Sequence, residues 1–319
     1  MMRRFLLYLH TGRSSALRGL AQVIHEMRNR GVRTGILDQQ LTEMREADPA
    51  LLPDGLLEAI DGPDVDIVHD LDPAIDELVI VLGGDGTILR ALEIAREHSV
   101  PVHGVNLGHV GFLAESEAAD LATTVHRLLD GDYSIEKRGT LNIEVYDAED
   151  RMVAAEWALN EASLEKSDRQ KMVHVVIEID GRPVSTFGCD GVILSTSTGS
   201  TAYGFSAGGP VVWPEVDAFL VVPLAAHALF ARPLVLGRSS EAAIEITADN
   251  TCSAVLTMDG RRVLDVHAGM RIESVLSPNS IQFARLTHTP FADRLVEKFE
   301  LPVDGWRGRG HDDPAAQER

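Results

Sequence analysis

The chain has 319 residues, and 45% of them are apolar, which is enough for two domains with cores of their own. Its formal net charge of -20 argues against duplex nucleic acid or an anionic membrane as a partner, because both would repel an acidic surface. Lysine is scarce and never follows glycine, which excludes a Walker-type phosphate loop.

The cysteine content and the apolar runs indicate the compartment. Cys189 and Cys252 are too few for a disulfide framework and lack the spacing of metal ligands. The chain shows no targeting pattern of charged and then apolar residues, and no apolar run long enough to span a bilayer. We therefore expect a cytoplasmic protein.

The first part of the chain, residues 1–137, alternates predicted strands and helices, which is typical of a parallel sheet. Residues 4–9 and 32–37 are predicted strands, and the apolar stripe from Leu17 to Met27 predicts the helix between them. The acidic segment 39–64 is expected to be a mobile connection with a short helix, followed by a short strand at 66–69. The first domain is therefore predicted to have an α/β fold.

The most informative stretch is residues 77–90, with the sequence E-L-V-I-V-L-G-G-D-G-T-I-L-R. Apolar residues 78–82 predict a buried strand, and a helical apolar pattern begins at Ile88. A glycine turn between a strand and a helix start offers bare backbone N–H groups to an anion. Asp85 is unusual there, because a carboxylate repels phosphate unless it binds a metal or handles a proton. The alternative is an ordinary turn in which Asp85 is favoured by capping and by the helix dipole, and the spacing alone does not decide.

A further predicted strand, residues 100–105, leads into the loop N-L-G-H-V-G-F-L at 106–113. In an open α/β sheet this loop is expected to line the same crevice as the glycine turn. A helix is predicted over 117–129.

From about Arg138 the pattern changes to short alternating stretches separated by turn residues, which predicts a mainly antiparallel β domain over 138–286. The expected strands are 141–146, 173–179, 184–188, 192–194, 243–246, 254–258, 270–275 and 280–284. A C-terminal helix within 287–302 is expected to pack back on the first domain, and 303–319 to form a disordered tail.

The second domain carries a cluster of polar residues at 195–203, in which six Ser and Thr hydroxyls precede Tyr203. This composition, directly after a buried strand, suits a polar ligand, and the alternative is a serine-rich surface loop. The following Gly204–Gly208 segment matches the G-x-S-x-G elbow of serine hydrolases around Ser206, with Asp259 among the later acids. The elbow needs an apolar strand immediately before it, which is missing here, so a hydrolase is disfavoured. The side chains of Asn160 and Glu161 could form hydrogen bonds with the edge of an adenine base and accept hydrogen bonds from ribose hydroxyls.

Taken in order, these motifs resemble those of the bacterial NAD kinases, and the resemblance covers this chain from about residue 4 to residue 299. The matching segments are Gly83-Gly84-Asp85-Gly86-Thr87, Asn106-Leu107-Gly108, Asn160-Glu161, Asp190-Gly191 and Thr198-Gly199-Ser200-Thr201-Ala202-Tyr203. The glycine-acid turn alone is shared with the diacylglycerol kinases, the sphingosine kinases and the phosphofructokinases. The hydroxyl-rich motif of the second domain narrows the choice among these kinase families. One departure is Ser197, where the family usually has proline.

The resemblance implies a Rossmann-like α/β N-terminal domain with a parallel sheet and an antiparallel β C-terminal domain. It also implies phosphoryl transfer from ATP, or from polyphosphate, to the 2′-hydroxyl of the adenosine ribose of NAD, giving NADP. Asp85 would act at that hydroxyl with Mg²⁺ or another divalent metal nearby, and Gly83, Gly84, Gly86 and Thr87 would bind phosphate. The implied NAD-binding residues are Asn160, Glu161, Asp190, Thr198, Ser200, Thr201, Ala202, Tyr203 and Ser206.

The family is homo-oligomeric, so a homodimer or homotetramer is expected. Two alternatives remain open at this point. One is a lipid or sugar kinase that shares the glycine-acid turn, and the other is a non-catalytic dinucleotide sensor.

Overall fold

The computed structural model describes residues 3–107, 111–117, 120–287 and 289–303. Gly108 of the predicted loop and the predicted tail beyond Val303 lie outside the described residues. The chain divides into two compact units, one containing residues up to Glu136 together with those from Gln282 onward, and the other Lys137–Ile281.

The first unit is built on a parallel sheet with the strand order β5-β4-β1-β2-β3. The end of a later strand, β18 (Arg271–Arg285), joins it through Phe283, which pairs with Val102 of β5, and the two-residue strand β6 pairs with the other end of β5. The strands of this unit are β1 (Arg4–Leu9), β2 (Arg33–Leu37), β3 (Val65–Val68), β4 (Asp76–Leu82), β5 (Val102–Asn106) and β6 (Ser116–Glu117).

Several helices bury an apolar face against the strands of this sheet. The helices are α1 (Ser14–Asn29), α2 (Asp38–Glu46), α3 (Leu56–Ile60), α4 (Asp85–His98), α5 (Leu121–Leu129) and α7 (Phe291–Phe299), with a 3₁₀ turn at Pro49–Leu51. In α1 the predicted stripe from Leu17 to Met27 is buried, and Gly31 follows the helix with a φ of 66°. Together with Phe5 and Ile80 of the strands, these side chains form one core.

Two predictions for this unit were wrong. Residues 39–64 are not a mobile connection, because α2 begins directly after β2 and buries Leu41 and Met44, while α3 buries Leu56 and Ile60. Glu117 belongs to β6 rather than to the helix, which begins at Leu121. The acidic composition of the first segment concealed apolar residues at helical spacing.

The second unit contains two β-sheets. One has the order β14-β13-β12-β9-β16-β17, and the other runs β11-β10-β15-β18, with β7 beside β18 and β8 beside β7. The strands are β7 (Ser134–Tyr146), β8 (Met152–Ala158), β9 (Glu161–Lys166), β10 (Val173–Ile179), β11 (Arg182–Cys189), β12 (Gly191–Thr196), β13 (Ala218–Leu224), β14 (Leu234–Gly237), β15 (Glu241–Ile246), β16 (Ala254–Met258), β17 (Arg262–Val266) and β18 (Arg271–Arg285). Between β12 and β13 lie a 3₁₀ turn at Gly199–Thr201 and a short helix, α6 (Tyr203–Ser206).

The predicted fold class is confirmed: a mostly parallel α/β unit is joined to an antiparallel β unit. Alternating side chains of the second unit fill an apolar core that includes Leu164, Val192, Phe219 and Leu256. Among the described residues, no helix is both long enough and apolar enough to cross a membrane.

Candidate active site

The glycine turn joins β4 to α4 and leaves three backbone N–H groups free. The Gly83 N–H donates to the Val105 carbonyl (3.1 Å), and the Thr87 N–H donates to the Gly84 carbonyl (2.9 Å). By contrast, the amides of Gly84, Asp85 and Gly86 have no acceptor within the described part of the chain. A helix start leaves such donors for a ligand, and the helix dipole makes that ligand an anion.

Open space lies in front of two of these glycines. A Cβ built on Gly84 or Gly86 would meet nothing within 4 Å, and neither residue has a left-handed φ. Neither the backbone conformation nor the packing therefore requires glycine at position 84 or 86. Gly83 is different, since its Cβ would lie 2.5 Å from Thr87 Oγ1. Gly83 and Thr87 thus pack against each other within the turn, whereas open space lies in front of Gly84 and Gly86.

Two backbone amides of the next loop hold the Asp85 carboxylate. The Phe112 N–H donates to Oδ2 (3.0 Å), and the Leu113 N–H donates to Oδ1 (3.2 Å). Gly111 allows this approach, because a Cβ there would lie 2.1 Å from Asp85 Oδ1. Each carboxylate oxygen keeps further lone pairs, so Asp85 is oriented and still able to accept a proton.

The loop that holds Asp85 is anchored by residues that the sequence analysis missed. The buried Arg285 donates through Nη1 to the Leu113 carbonyl (3.0 Å), pairs with Glu136 and lies over the Phe283 ring, 4.8 Å from its centroid. Arg285 follows Leu113 by 172 positions in the sequence, and no local pattern connects them. Phe112 also contacts the rings of Phe291 and Phe299 in α7.

A second group of predicted site residues surrounds Asn160, at the corner between β8 and β9. The Asn160 N–H donates to Asp259 Oδ1 (2.7 Å), and its carbonyl accepts from the Thr196 N–H (2.9 Å). Gly199 lies so close that a Cβ there would be 2.0 Å from the Asn160 oxygen. The backbone of Asn160 is therefore fixed on both sides.

Glu161 begins β9 and is buried beside Asp259. Its Oε2 accepts from the Tyr203 N–H (3.4 Å), and the Tyr203 hydroxyl lies 3.2 Å from Glu165 Oε2. Burial first, and then the nearby negative charge of Asp259, raise the pKa of Glu161 to about 7, against the opposing Tyr203 N–H. Glu161 therefore changes its charge near neutral pH.

The hydroxyl-rich segment divides into inward and outward side chains. Ser200 is fully buried, lies 2.7 Å from the Ser197 carbonyl and accepts from the Val212 N–H (2.9 Å). Thr198 is buried as well, and its hydroxyl accepts from Arg138 (3.4 Å). Thr201, Ala202 and Tyr203 are half-buried, and Ser206 is exposed. Ser200 and Thr198 thus shape the segment, whereas the others are open to a ligand.

Three further positions bear on the sequence analysis. Asp190 forms an ion pair with Lys166, with 2.5 Å between the Lys166 Nζ and the Asp190 Oδ1 atoms. The Ser197 hydroxyl lies within hydrogen-bond distance of two carbonyls, those of Val216 and Ala218. Ser206 ends α6 and follows a 3₁₀ turn rather than a strand, so the geometry of a nucleophile elbow is not formed.

Among the described residues, no group of three or more His, Cys, Asp or Glu side chains could hold a metal ion.

Comparison with known proteins gives the family. The model of the ATP-NAD kinase N-terminal domain matches residues 39–133, and the model of the ATP-NAD kinase C-terminal domain matches residues 159–286. The chain is 49% identical over 311 residues to the NAD kinase of Thermobifida fusca, covering 96% of this chain and 92% of that protein. It is 50% identical over 306 residues to the NAD kinase of Leifsonia xyli, covering 96% and 97%.

Two solved structures share the fold at lower identity. Yeast NADH kinase complexed with NADH has a TM-score of 0.80 at 22% identity, covering 97% of this chain and 90% of the yeast chain. An NAD kinase from Archaeoglobus fulgidus in complex with ATP has a TM-score of 0.66 at 21% identity, covering 94% and 100%. The family models span both units and the bacterial relatives match nearly the whole chain at about half identity, so this chain belongs to the NAD kinase family.

Proposed function

We propose that this NAD kinase uses Asp85 to activate the 2′-hydroxyl of the adenosine ribose of NAD and takes the phosphoryl group from ATP. One observation carries the proposal. Asp85 is a carboxylate oriented by two amides at a helix start whose free N–H groups and glycines face open space. A phosphate can therefore lie next to a proton acceptor without a lysine.

The reaction needs little covalent chemistry from the protein. The 2′-oxygen loses its proton to Asp85 and forms a bond to the γ-phosphorus, while the bond from that phosphorus to the ADP oxygen breaks and ADP leaves with the electron pair. Such transfer depends mostly on positioning and on charge stabilisation. The amides of Gly84, Asp85 and Gly86 would donate to phosphate oxygens, which offsets the repulsion from Asp85.

The donor set at this turn fits Mg²⁺. This ion retains several waters and usually binds through one or two carboxylates together with substrate phosphates. Asp85 is the carboxylate at the helix start, and its oxygens keep lone pairs beyond the two amide bonds. When bound, the ion would supply positive charge to the phosphates.

Residues of the second unit are proposed to bind the dinucleotide. Asn160 and Glu161 would hold the adenine and its ribose, Thr201, Ala202 and Tyr203 would form the wall of the adenine pocket, and Ser206 adds an exposed hydroxyl. Asp190, held by Lys166, is assigned to the nicotinamide half. Thr198 and Ser200 would act indirectly, by shaping the segment.

We also propose a homodimer or homotetramer. An apolar groove in the second unit, of about 20 Å³, is lined by residues that include Ile177, Phe187 and Leu234. Exposed apolar side chains border it or lie next to it in sequence: Val184, Leu229, Phe230 and Val235. A second copy of the chain would remove these side chains from water.

We propose a cytoplasmic location as well. Cys189 and Cys252 are free thiols, in keeping with that location.

The experiment is an assay of NADP formation. Purified protein is incubated with NAD, Mg²⁺ and either ATP or polyphosphate, and the product is scored with an NADP-specific dehydrogenase. We expect NADP to form with ATP, in proportion to the enzyme added. A protein that binds NAD but forms no NADP with either donor would contradict the proposal.

A further inference from the structure

We infer that Asp259 is a positioning residue of the dinucleotide pocket, whose carboxylate and backbone N–H fix the corner of the chain that presents Asn160 and Glu161. The inference rests on the proposed function, which assigns Asn160 and Glu161 to NAD. In the sequence analysis Asp259 entered only as a possible member of a hydrolase triad.

The first support is a set of hydrogen bonds that converge on Asp259. Its side chain is 3% exposed and accepts from the N–H groups of Leu159 (3.0 Å) and Asn160 (2.7 Å). Its own N–H donates to the Glu161 carbonyl (2.9 Å). One residue thus contacts all three residues of the corner that presents Asn160 and Glu161.

The buried charge of Asp259 is balanced by Arg262, which leads into β17. Arg262 Nη2 donates to Asp259 Oδ2 (3.0 Å), and Arg262 Nη1 donates to Glu156 (3.0 Å). The guanidinium also lies over the Trp157 ring, 4.6 Å from its centroid. A buried carboxylate persists when it is paired in this way, and its removal leaves the partner uncompensated.

The turn itself does not explain a buried aspartate, as a second hairpin of the same chain shows. Asp180 and Gly181 join β10 to β11 with φ values of 52° and 69°, and Asp259 and Gly260 have 51° and 67°. Asp180 is exposed and accepts from the Glu241 N–H at 2.9 Å. Both hairpins obtain the left-handed conformation from Asp-Gly, but only Asp259 is buried against predicted site residues.

The second support is electrostatic. Burial and the charge of Asp259 both raise the pKa of Glu161. Burial also raises the pKa of Asp259 itself, and the backbone N–H groups of Leu159 and Asn160 together with the charge of Arg262 oppose that rise. Other titratable groups near this corner include Arg262 at the start of β17 with its partner Glu156 from β8, and Tyr203 from α6, whose hydroxyl contacts Glu165 of β9. An ionised Glu161 accepts hydrogen bonds from ribose hydroxyls better than a protonated one does. NAD should therefore bind more tightly as the pH rises through the pKa of Glu161, and Asp259 should set the midpoint of that rise.

The test compares variants of the full chain by equilibrium titration with NAD from about pH 5.5 to 8.5, a range that spans the expected midpoint. Wild type should show affinity rising with pH, and Glu161→Gln should lose that rise. Asp259→Asn keeps the left-handed turn and removes one negative charge, so its midpoint should fall by about one pH unit. Asp180→Asn is the matched control from the second hairpin and should behave as wild type.

The outcomes separate this inference from the proposed function. If Asp259→Asn keeps both the midpoint and the affinity of wild type, the role of Asp259 is overturned. If Glu161→Gln binds NAD as wild type does at every pH, the assignment of Glu161 itself fails.

A second measurement needs no variant, in case Asp259→Asn does not fold. In wild type, NAD should slow hydrogen exchange at the amides of Leu159 and Asn160 by about tenfold or more, because the ligand stabilises the corner that Asp259 holds. The Glu241 amide, held by Asp180, should not change. If NAD leaves the exchange rates of the Leu159 and Asn160 amides as unchanged as that of the Glu241 amide, the inference is also overturned.

Discussion

Asp85 and Glu161, two of the acidic residues assigned to the substrate, lie in opposite environments. Asp85 is half-buried and receives two backbone N–H donors, which suits a carboxylate that orients or deprotonates a hydroxyl. Glu161 is buried next to another acid, which raises its pKa to about 7. The environment of Glu161, rather than its residue type, therefore makes this carboxyl group change its charge near neutral pH.

The raised pKa of Glu161 predicts how the stability of the protein depends on pH. The folded state holds the Glu161 proton up to about pH 7, whereas the unfolded chain releases it near the ordinary value of 4.5, so stability falls as the pH rises through this window. Glutamine mimics the protonated form. Glu161→Gln should therefore match wild type near pH 4.5 and exceed it at about pH 8 by up to about 3 kcal/mol, at ~1.4 kcal/mol for each pH unit. Urea denaturation at both pH values measures this, with the exposed Glu149→Gln as control, and a wild type that is the more stable protein at pH 8 would contradict it.

The open space before Gly86 predicts a separation of stability from function. Gly86→Ala should stabilise the protein by about 0.5–1 kcal/mol, because alanine is the better helix former, and should raise KM for ATP by about tenfold. Gly237→Ala is the matched control, since a Cβ there also meets nothing within 4 Å and its φ is ordinary. Thermal unfolding and initial rates measure both effects. An unchanged KM for ATP in Gly86→Ala would contradict the assignment of this space to phosphate.

At the scale of elements, the helix start and the loop after β5 work as one unit. The loop gives two N–H groups to Asp85, and Arg285 at the end of β18 holds the carbonyl of Leu113 in that loop. The carboxylate that we propose to be catalytic is thus positioned by a residue that does not contact it.

Arg285→Ala should lower kcat by about tenfold or more and leave the affinity for NAD within a few-fold of wild type, because a misplaced carboxylate costs turnover rather than binding. Guanidinium added to the variant should restore part of the rate, since it can replace the lost donor. Arg3→Ala serves as the control, because its guanidinium pairs with Glu77 at the surface. A kcat of Arg285→Ala equal to that of wild type would contradict this account. So would a variant whose rate does not recover with guanidinium and whose affinity for NAD is weakened.

The elements that the sequence predicts are those with a strong local pattern. The uninterrupted apolar run of β4 and the buried stripe of α4, which includes Ile88, Ala91 and Leu92, lie where periodicity places them. The second-unit strands β8, β9, β13, β14 and β17 were not predicted. In β8 the apolar residues Met152 and Val153 are exposed, and in β13 the apolar run is broken by Pro223. The site shows the same limit, because Asp85 is marked by its glycines, whereas Asp259 and Arg285 act through contacts about a hundred or more positions away in sequence.

At the scale of the whole molecule, each unit has an apolar core of its own, and the second unit leaves apolar side chains exposed around one groove. The self-association surface that we propose would account for those exposed side chains in an otherwise acidic protein. Repulsion between copies that each carry a charge of -20 would oppose association, so the contact should be apolar.

Phe230→Glu should therefore shift the protein toward monomer, since it adds a charge at the proposed contact without altering the core. Sedimentation equilibrium gives the mass, with Val263→Glu as a control at an exposed apolar position on β17. Wild type that sediments as a monomer would contradict the proposed oligomer.

The role of Asp85 is tested most directly by the steady-state kinetics and NAD affinity of Asp85→Asn. We expect kcat to fall by ~10² or more, while the Kd for NAD stays within a few-fold of wild type, because a positioned base contributes about that factor to proton transfer. Asp48→Asn, which alters a carboxylate that only caps a 3₁₀ turn, should keep full activity. A folded Asp85→Asn protein that forms NADP at the wild-type rate would contradict the mechanism.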